Sequence, residues 1–298
     1  TLSFSVKNAK NQPLSGVSIS GTGAGSFSGR TDSTGCANFS DLPAGNYNVT
    51  TSANGMVNMA GETSTTKVYG VPSASTQTVA LYYDSPATVE PKFVYRVGSS
   101  TTFAEGRTDS LEVFNGEAGK LATTYGTAGG TRVSPFKATN VYPFTSKTTV
   151  YAGSCETNNP DPEGKIEANH AAMAFVELSP GGLAQPTIQL PALNLTVLNG
   201  TTPINGAKVT TTDTKCPSAT NGVKREYTTE TGGHLAMLVN GVAVPDAGMP
   251  WGEYKVCASA KIGTKNRKLE STVSVKNLVE GTTLNLNLAS GIENQTCP

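Results

Sequence analysis

Two stretches of the sequence carry the same turn and strand signature. Residues 43–49 read PAGNYNV, and residues 250–256 read PWGEYKV. Each has Pro, then Gly two residues later, then Tyr at the start of an alternating segment that is typical of a β-strand. The residues that lead up to the two copies also match, and Pro13 and Pro203 begin a run with a constant offset of 190. One small β-module therefore occurs near each end of the chain, with a different segment between.

The composition favours an all-β protein. The 298 residues include 32 Gly and 17 Pro, and only 15% are charged. Turn signals are frequent and helical periodicity is nearly absent. We expect three tandem β-sandwich domains of prealbumin or immunoglobulin type in an elongated arrangement, with boundaries at 1–84, 85–190 and 191–298.

Charge and hydropathy exclude two classes of partner. The formal net charge is zero, and no basic run supplies the counterion release that drives binding to nucleic acid. No apolar run approaches the roughly 20 residues that span a bilayer. We therefore expect no nucleic-acid partner and no membrane span in this chain. We expect the protein to be anchored by an N-terminal segment that precedes Thr1.

The first module resembles a known class of sandwich. A Pro turn with G-x-x-V/I, then TDSTG at 31–35 and LPAGNYNV at 42–49, resembles prealbumin-like (transthyretin-like) domains. These include the carboxypeptidase regulatory-like and Cna B-type modules of bacterial surface proteins. Cna B-type modules often carry an isopeptide bond between a Lys and an Asn or Asp side chain. The resemblance implies that Lys7 is the candidate lysine for such a bond. However, Thr51 stands where the catalytic Glu would be, and no Asn closes the last strand, so Lys7 is also consistent with an ordinary surface lysine.

A second resemblance extends into the middle segment. YYDSPATVEPKFVYRV at 82–97 and VYPFTSKTTVYAGSC at 141–155 are similar to Gram-positive, mostly actinobacterial, surface and pilin-like proteins. The resemblance implies an extracellular location at the cell surface. It also implies partners that are other surface or pilus subunits, or a host or glycan ligand.

Five cysteines without a CxxC pair favour disulfides over a zinc site. In prealbumin-like sandwiches, the strands that carry or precede Cys216 and Cys257 are neighbours or face each other, so we expect a Cys216–Cys257 bridge. The second expected pair is Cys155–Cys297, which would tie the tail to the middle domain. Cys36 is then left over, either as a small buried hydrophobe or as a partner in an intermolecular bond.

No residue constellation in the sequence indicates catalysis. The two histidines, His170 and His234, fall in different segments and outside any metalloprotease-like spacing. We therefore expect no enzyme activity. We also expect no cofactor: calcium is the one ion that the sequence suggests, at an oxygen-rich stretch for which a solvated acidic loop is the preferred interpretation. Its candidate ligands are Glu156, Asn158, Asp161 and Glu163.

Aromatic residues supply the candidates for ligand contact. Trp251 is the only tryptophan, and its repeat partner is Ala44, so the module itself does not require an indole there. Trp251 is the best single contact candidate, and Tyr142 and Tyr151 add predicted aromatic surface. Packing in a core or between domains is nevertheless the preferred interpretation for Trp251.

These observations predict a non-catalytic extracellular protein with a structural or adhesive role. A pilus-associated, minor pilin-like subunit is the preferred interpretation. The alternative is a carbohydrate-binding accessory region of a secreted enzyme.

Overall fold

The protein is described here from a computed structural model. The structure describes residues 1–96, 103–105, 110–115, 120–126, 137–155, 173–216, 224–239, 242–245, 247–276 and 278–298. The described residues form an all-β structure of several sheets, as the composition predicted. No helix among them is long and apolar enough to cross a membrane.

The first segment contains eight strands. They are β1 (Leu2–Lys7), β2 (Ser18–Gly23), β3 (Ser26–Arg30), β4 (Cys36–Phe39), β5 (Gly45–Ser52), β6 (Val57–Asn58), β7 (Ser64–Val71) and β8 (Gln77–Asp84). One sheet has the order β4-β1-β8-β6, and the other has the order β3-β2-β5-β7. The first and last long strands, β1 and β8, run parallel. Alternate side chains of β1 (Leu2, Phe4 and Val6) are fully buried between the two sheets.

The middle segment contains shorter strands in smaller sheets. They are β9 (Ala87–Val89), β10 (Lys92–Arg96), β11 (Phe103–Glu105), β12 (Ser110–Asn115), β13 (Lys120–Gly126), β14 (Ala138–Val141), β15 (Thr148–Gly153), β16 (Met173–Val176), β17 (Leu183–Ala184) and β18 (Thr187–Gln189). Sheets of order β13-β12-β15-β16, β11-β10-β18 and β14-β9-β17 result. Every residue of β15 is buried, so both of its faces are covered.

The third segment contains the largest sheet. Its strands are β19 (Ala192–Asn199), β20 (Thr202–Pro203), β21 (Lys208–Asp213), β22 (Arg225–Thr229), β23 (Leu235–Val239), β24 (Val242–Pro245), β25 (Ala247–Gly248), β26 (Gly252–Ile262), β27 (Lys265–Val275), β28 (Thr282–Asn287) and β29 (Ile292–Glu293), with 3₁₀ turns at Thr231–Gly233 and Leu288–Ser290. Seven strands form one sheet in the order β24-β23-β22-β21-β26-β27-β29. Opposite them, β19 pairs in parallel with β28, as β1 pairs with β8.

In each copy of the module, a buried threonine hydroxyl makes the same pair of hydrogen bonds to the backbone. The Thr31 hydroxyl accepts a hydrogen bond from the Val17 amide (3.0 Å) and donates one to the Leu14 carbonyl (2.7 Å). Thr229 makes the same two bonds to the matching residues, at 2.9 and 2.6 Å. The predicted repeat is therefore confirmed at the level of single hydrogen bonds.

The turn before the repeated strand is also the same in both copies. The Tyr47 hydroxyl donates to the Pro43 carbonyl over 2.9 Å, and the Tyr254 hydroxyl donates to the Pro250 carbonyl over 2.6 Å. Both rings are buried, so each tyrosine joins the core to the turn that precedes its own strand. This explains why Pro and Tyr recur at a fixed separation.

The third segment differs from the first by two insertions. Residues that match in the two copies are 190 positions apart at Pro13, 198 apart at Thr31 and 207 apart at Pro43. The third segment therefore has eight more residues between its second and third module strands, and nine more before the repeated turn. The first insertion contains Cys216, and the second contributes to β23, β24 and β25. Each insertion contributes a described contact with the middle segment, through Cys216 in the first and through β25 in the second.

The buried side chains form two clusters. One cluster lies within residues 2–83. The other extends without a break from Ala87 in the middle segment to Leu288 in the third, and includes Phe93, Ile188 and Met249. Gly248 packs directly against the Tyr95 ring, so β25 joins the two segments. The division into three domains and the elongated arrangement stay predictions.

Candidate functional site: a cross-linked junction

The junction between the middle and third segments is covalently closed. Cys155, just after β15, forms a disulfide with Cys216, just after β21, with Cα atoms 5.7 Å apart. Beside the disulfide, the Ser154 hydroxyl donates a hydrogen bond to the Asp213 carboxylate. A covalent bond and a buried polar contact therefore fix the end of β15 against the end of β21.

Asp213 is the most unusual ionisable group of this junction. Only 4% of its surface is exposed. Burial raises the pKa of its carboxyl above the ordinary value, and the hydrogen bonds from Ser154 and from the Lys215 amide oppose that rise. Gly252 lies so close that an added Cβ would collide with the carboxylate. The fold therefore holds Asp213 tightly, in surroundings that favour its neutral form.

Asp213 was not predicted from the sequence as a site residue. The signal that could have found it is the alternation of β21, since Val209, Thr211 and Asp213 are at successive inward positions. An acidic residue at an inward position of a strand must find a polar partner or become neutral. Here the partner comes from the middle segment.

The junction offers one geometric arrangement of metal-ligand type. The ligand atoms of Cys155, Asp213 and Cys216 all lie within 4.8 Å of one another. Two of the three are sulfurs that are bonded to each other, and a disulfide sulfur lacks the thiolate charge that zinc requires. The arrangement is therefore suited to cross-linking rather than to metal binding.

Two further bonds connect the middle segment to the connection between β27 and β28. The Arg96 guanidinium donates to the Val279 carbonyl over 3.0 Å. The Gln189 amide donates to the Leu278 carbonyl over 2.6 Å. Polar side chains of the middle segment thus hold the connection between β27 and β28.

The second disulfide lies within the third segment. Cys257 of β26 bonds to Cys297 of the C-terminal tail, with Cα atoms 5.8 Å apart. The Cys297 amide also donates to the Ser259 hydroxyl over 3.0 Å. The tail is therefore fastened across the outward face of β26, and not to the middle segment.

The predicted disulfide pairs, Cys216–Cys257 and Cys155–Cys297, are wrong, although all four cysteines are bonded. The strands β21 and β26 are neighbours as expected, but Cys257 lies opposite Thr210 in their register. Cys216 is six residues farther along, about 20 Å at strand spacing. A disulfide needs Cα atoms within about 7 Å.

The predicted aromatic contacts have different positions from those expected. Tyr142 and Tyr151 are each 3% exposed, so the prediction that they add aromatic surface is wrong. Trp251 is partly buried, and the Lys276 ammonium lies 4.4 Å from the centre of its ring. Its role as a ligand contact stays a prediction, in which a ligand would have to displace or extend past that lysine.

The remaining predicted positions have simple surroundings or are not described. Cys36 has a free, partly exposed thiol. Lys7 is exposed, and the Thr51 hydroxyl forms a 2.7 Å hydrogen bond with the Tyr83 hydroxyl, so the positions considered for an isopeptide bond are occupied by ordinary contacts. The calcium candidates and His170 lie outside the described residues; the four candidates are Glu156, Asn158, Asp161 and Glu163.

Comparison with known proteins gives no sequence relative. No family of known proteins matches the chain, and no curated protein matches it. Among solved structures, the chain is similar to the Bacillus anthracis TIE protein, with 16% identity, a TM-score of 0.27 and coverage of 96% of this chain and 49% of that one. The chain thus spans about half the length of the TIE protein.

Two pilin structures are also similar to the chain. BcpA, the major pilin subunit of Bacillus cereus, has 12% identity and a TM-score of 0.26, and the match covers 96% of this chain and 99% of that one. GBS52, the minor pilin of Streptococcus agalactiae, has 11% identity and a TM-score of 0.26, over 63% of this chain and 93% of that one.

Proposed function

We propose that the protein is a non-catalytic structural or adhesive subunit of the bacterial cell surface, associated with a pilus. The observation that carries the proposal is the cross-linked junction, in which one copy of a repeated sandwich module is fastened to the middle segment by the Cys155–Cys216 disulfide. A continuous core and a covalent bond suit a part that must keep its shape under load outside the cell.

Three features support an extracellular setting. Four of five cysteines form disulfides, which persist in oxidising surroundings. The outward face of the first module is built from Ser, Thr and Asn, as on β2 and β5. The sequence resembles surface modules that serve mainly as spacers. The partners in this proposal are neighbouring surface or pilus subunits.

Surface labelling of intact cells tests this location. A membrane-impermeant amine reagent should modify exposed lysines of the first module, such as Lys7 and Lys67, before the cells are broken. Immunogold electron microscopy should place the protein on filaments or on the outer surface. Labelling that requires cell lysis would overturn the proposal. Labelling of intact cells without any filament would overturn the pilus association and leave the surface role.

A further inference from the structure

The outward face of the seven-stranded sheet has an unusual charge pattern. Its four strands β22, β21, β26 and β27 pair without interruption, and the C-terminal tail crosses their outward side at Cys257 and Ser259. Lys208 lies opposite Ser259, and Lys255 lies opposite Thr272. Residues that are directly opposite in an antiparallel pair point to the same side of the sheet. The Cβ atoms of these lysines therefore belong to one face.

Each glutamate on this face lies between two lysines. Glu226 pairs with Lys208 at 3.2 Å and with Lys224 at 3.3 Å. Both lysines lower the pKa of Glu226, and the lysines around Glu270 do the same for that group. The pairs around the other two glutamates are Lys215–Glu253, Lys276–Glu253, Lys255–Glu270 and Lys268–Glu270.

The lysines outnumber the glutamates on this face, which we call the lysine face. Lys261 also lies on the outward side of β26 and is exposed. There are seven lysines and three glutamates, and the exposed Glu230, just after β22, adds one negative charge at the edge of the face, so the excess is three positive charges. The side chains that define the lysine face are Lys208, Lys215, Lys224, Lys255, Lys261, Lys268, Lys276, Glu226, Glu253 and Glu270.

The fold does not require these charges, because the first module has the same face without them. Ser18 and Asn48 occupy the positions that Lys208 and Lys255 occupy in the third segment, and they have the same strand partners. The outward positions of β2, β3, β5 and β7 contain one charged residue, Arg30. Two copies of one module thus differ in charge at matched backbone positions.

The lysine face is large enough for an extended ligand. Lys255 and Lys261 are six residues apart on β26, about 20 Å along the strand, and lie on the two sides of the tail that is fastened at Cys257 and Ser259. A groove of about 390 Å³ at one side of the face is lined by Lys224, Lys255 and threonine hydroxyls, by the acidic residues Asp213 and Glu270, and by Pro298 of the fastened tail. Ammonium groups with hydroxyl donors between them suit anionic groups that repeat along a chain.

We infer that the lysine face binds an acidic polysaccharide, a chain of sugars that carry sulfate or carboxylate groups. The excess of positive charge complements a polyanion, and the hydroxyl-lined groove suits sugar hydroxyls as well as acidic groups. Binding would displace condensed counterions from the polysaccharide and would therefore weaken as salt rises. This inference supplies a ligand class for the adhesive part of the proposed function, on which it rests.

Binding of the full chain to dextran sulfate, with uncharged dextran as the matched polymer, tests the inference. Titration calorimetry or interferometry should show binding to dextran sulfate alone. The dissociation constant should rise steeply when NaCl is raised from about 50 mM to about 200 mM. Equal binding of the two polymers, or no binding to either, would overturn the inference.

Two variants with the same net charge test whether binding depends on the lysine face or on the net charge of the protein. Replacing Lys208, Lys255 and Lys268 by Gln should weaken binding by about tenfold or more. The control replaces Lys7, Lys10 and Lys67 of the first module by Gln and should change binding less than about twofold. Circular dichroism should show that both variants keep the native fold. Equal losses in the two variants would contradict the inference.

Competition by linear polyphosphate tests whether the lysine face prefers an acidic polysaccharide to another polyanion. It should compete for the lysine face less strongly than dextran sulfate at equal charge concentration. Stronger competition by polyphosphate would overturn the choice of an acidic polysaccharide. These assays use isolated protein, so they can fail while surface labelling of cells still succeeds. The failure of this inference is therefore distinguishable from failure of the proposed function.

Discussion

At the scale of single residues, one threonine hydroxyl in each copy of the repeated module forms hydrogen bonds with two backbone groups. Thr31 and Thr229 are almost fully buried, and each hydroxyl links a strand amide to the carbonyl of the preceding turn. A residue without the hydroxyl would leave a buried donor and a buried acceptor unpaired. Such a loss is typically worth about 1–3 kcal/mol.

Thr31→Val and Thr229→Val should therefore destabilise their own copies of the module by about 1–3 kcal/mol each. Urea unfolding of each variant measures the effect. Thr66→Val is the matched control, because Thr66 is exposed on the outward side of β7, and it should change stability by less than about 0.5 kcal/mol. Equal effects at Thr31 and Thr66 would contradict the role that the hydrogen bonds give to the buried hydroxyl.

The raised pKa of Asp213 predicts that the stability of the protein depends on pH. Its pKa is raised in the folded protein, so the folded state binds the proton more tightly than the unfolded chain does. Stability from this group is complete below the unfolded pKa and is lost as pH rises through the folded pKa. The folded protein should therefore lose the contribution of Asp213 on going from acid to neutral pH.

Asp213→Asn removes this titration and tests its sign. The stability of the variant relative to the native protein should increase as pH rises from about 3 to about 8. Urea midpoints at several pH values measure that difference. A difference that does not change with pH, or that falls as pH rises, would show that burial does not raise the pKa of Asp213.

At the scale of elements, the two insertions supply residues through which the third segment contacts the middle segment. The first places Cys216 next to Cys155, and the second supplies β25, which packs on Tyr95. By the chain-entropy estimate, closing a loop of 61 residues is worth about 4 kcal/mol. The disulfide is therefore a major contribution to the stability of the junction.

Replacing Cys155 and Cys216 together by Ser should lower the free energy of unfolding by up to about 4 kcal/mol. Cys36→Ser, which breaks no bond, should change it by less than about 1 kcal/mol. Guanidinium unfolding with tryptophan emission as the signal measures both, since Trp251 is the single tryptophan and lies in the third segment. Equal stability of the two variants would refute a stabilising cross-link.

The sequence predicts single elements better than their register. The motif at 43–49 correctly indicates the repeat, because a Pro–Gly turn and an alternating strand are local properties of the chain. The disulfide partner of Cys216 depends on the register between β21 and β26 and on the path of an insertion, and neither is local. Tyr142 and Tyr151 were misjudged for a related reason. Their burial depends on which sheets cover them.

At the scale of the whole molecule, two buried clusters divide the described residues unequally. The cluster within residues 2–83 contains no disulfide, and the cluster from Ala87 to Leu288 is associated with two. The sequence alone did not show that the middle and third segments share a core. Part of that contact comes from the second insertion, whose Gly248 packs on Tyr95 and whose Met249 belongs to the shared core.

Calorimetry of the full chain should therefore show two transitions. Adding dithiothreitol should lower the midpoint of one transition, that of the larger cluster, and leave the other unchanged, because only the larger cluster is associated with disulfides. The first module carries only Cys36, which is unpaired. A single transition, or an equal shift of both, would contradict this division.

The central claim is that the protein is an exported subunit whose middle and third segments are covalently locked. Peptide mapping without reduction, on protein recovered from the surface fraction of native cells, tests it most directly. We predict linked peptides for Cys155–Cys216 and for Cys257–Cys297. Recovery of the protein only from the cell interior with all five cysteines as free thiols, or a Cys216–Cys257 link, would contradict the account.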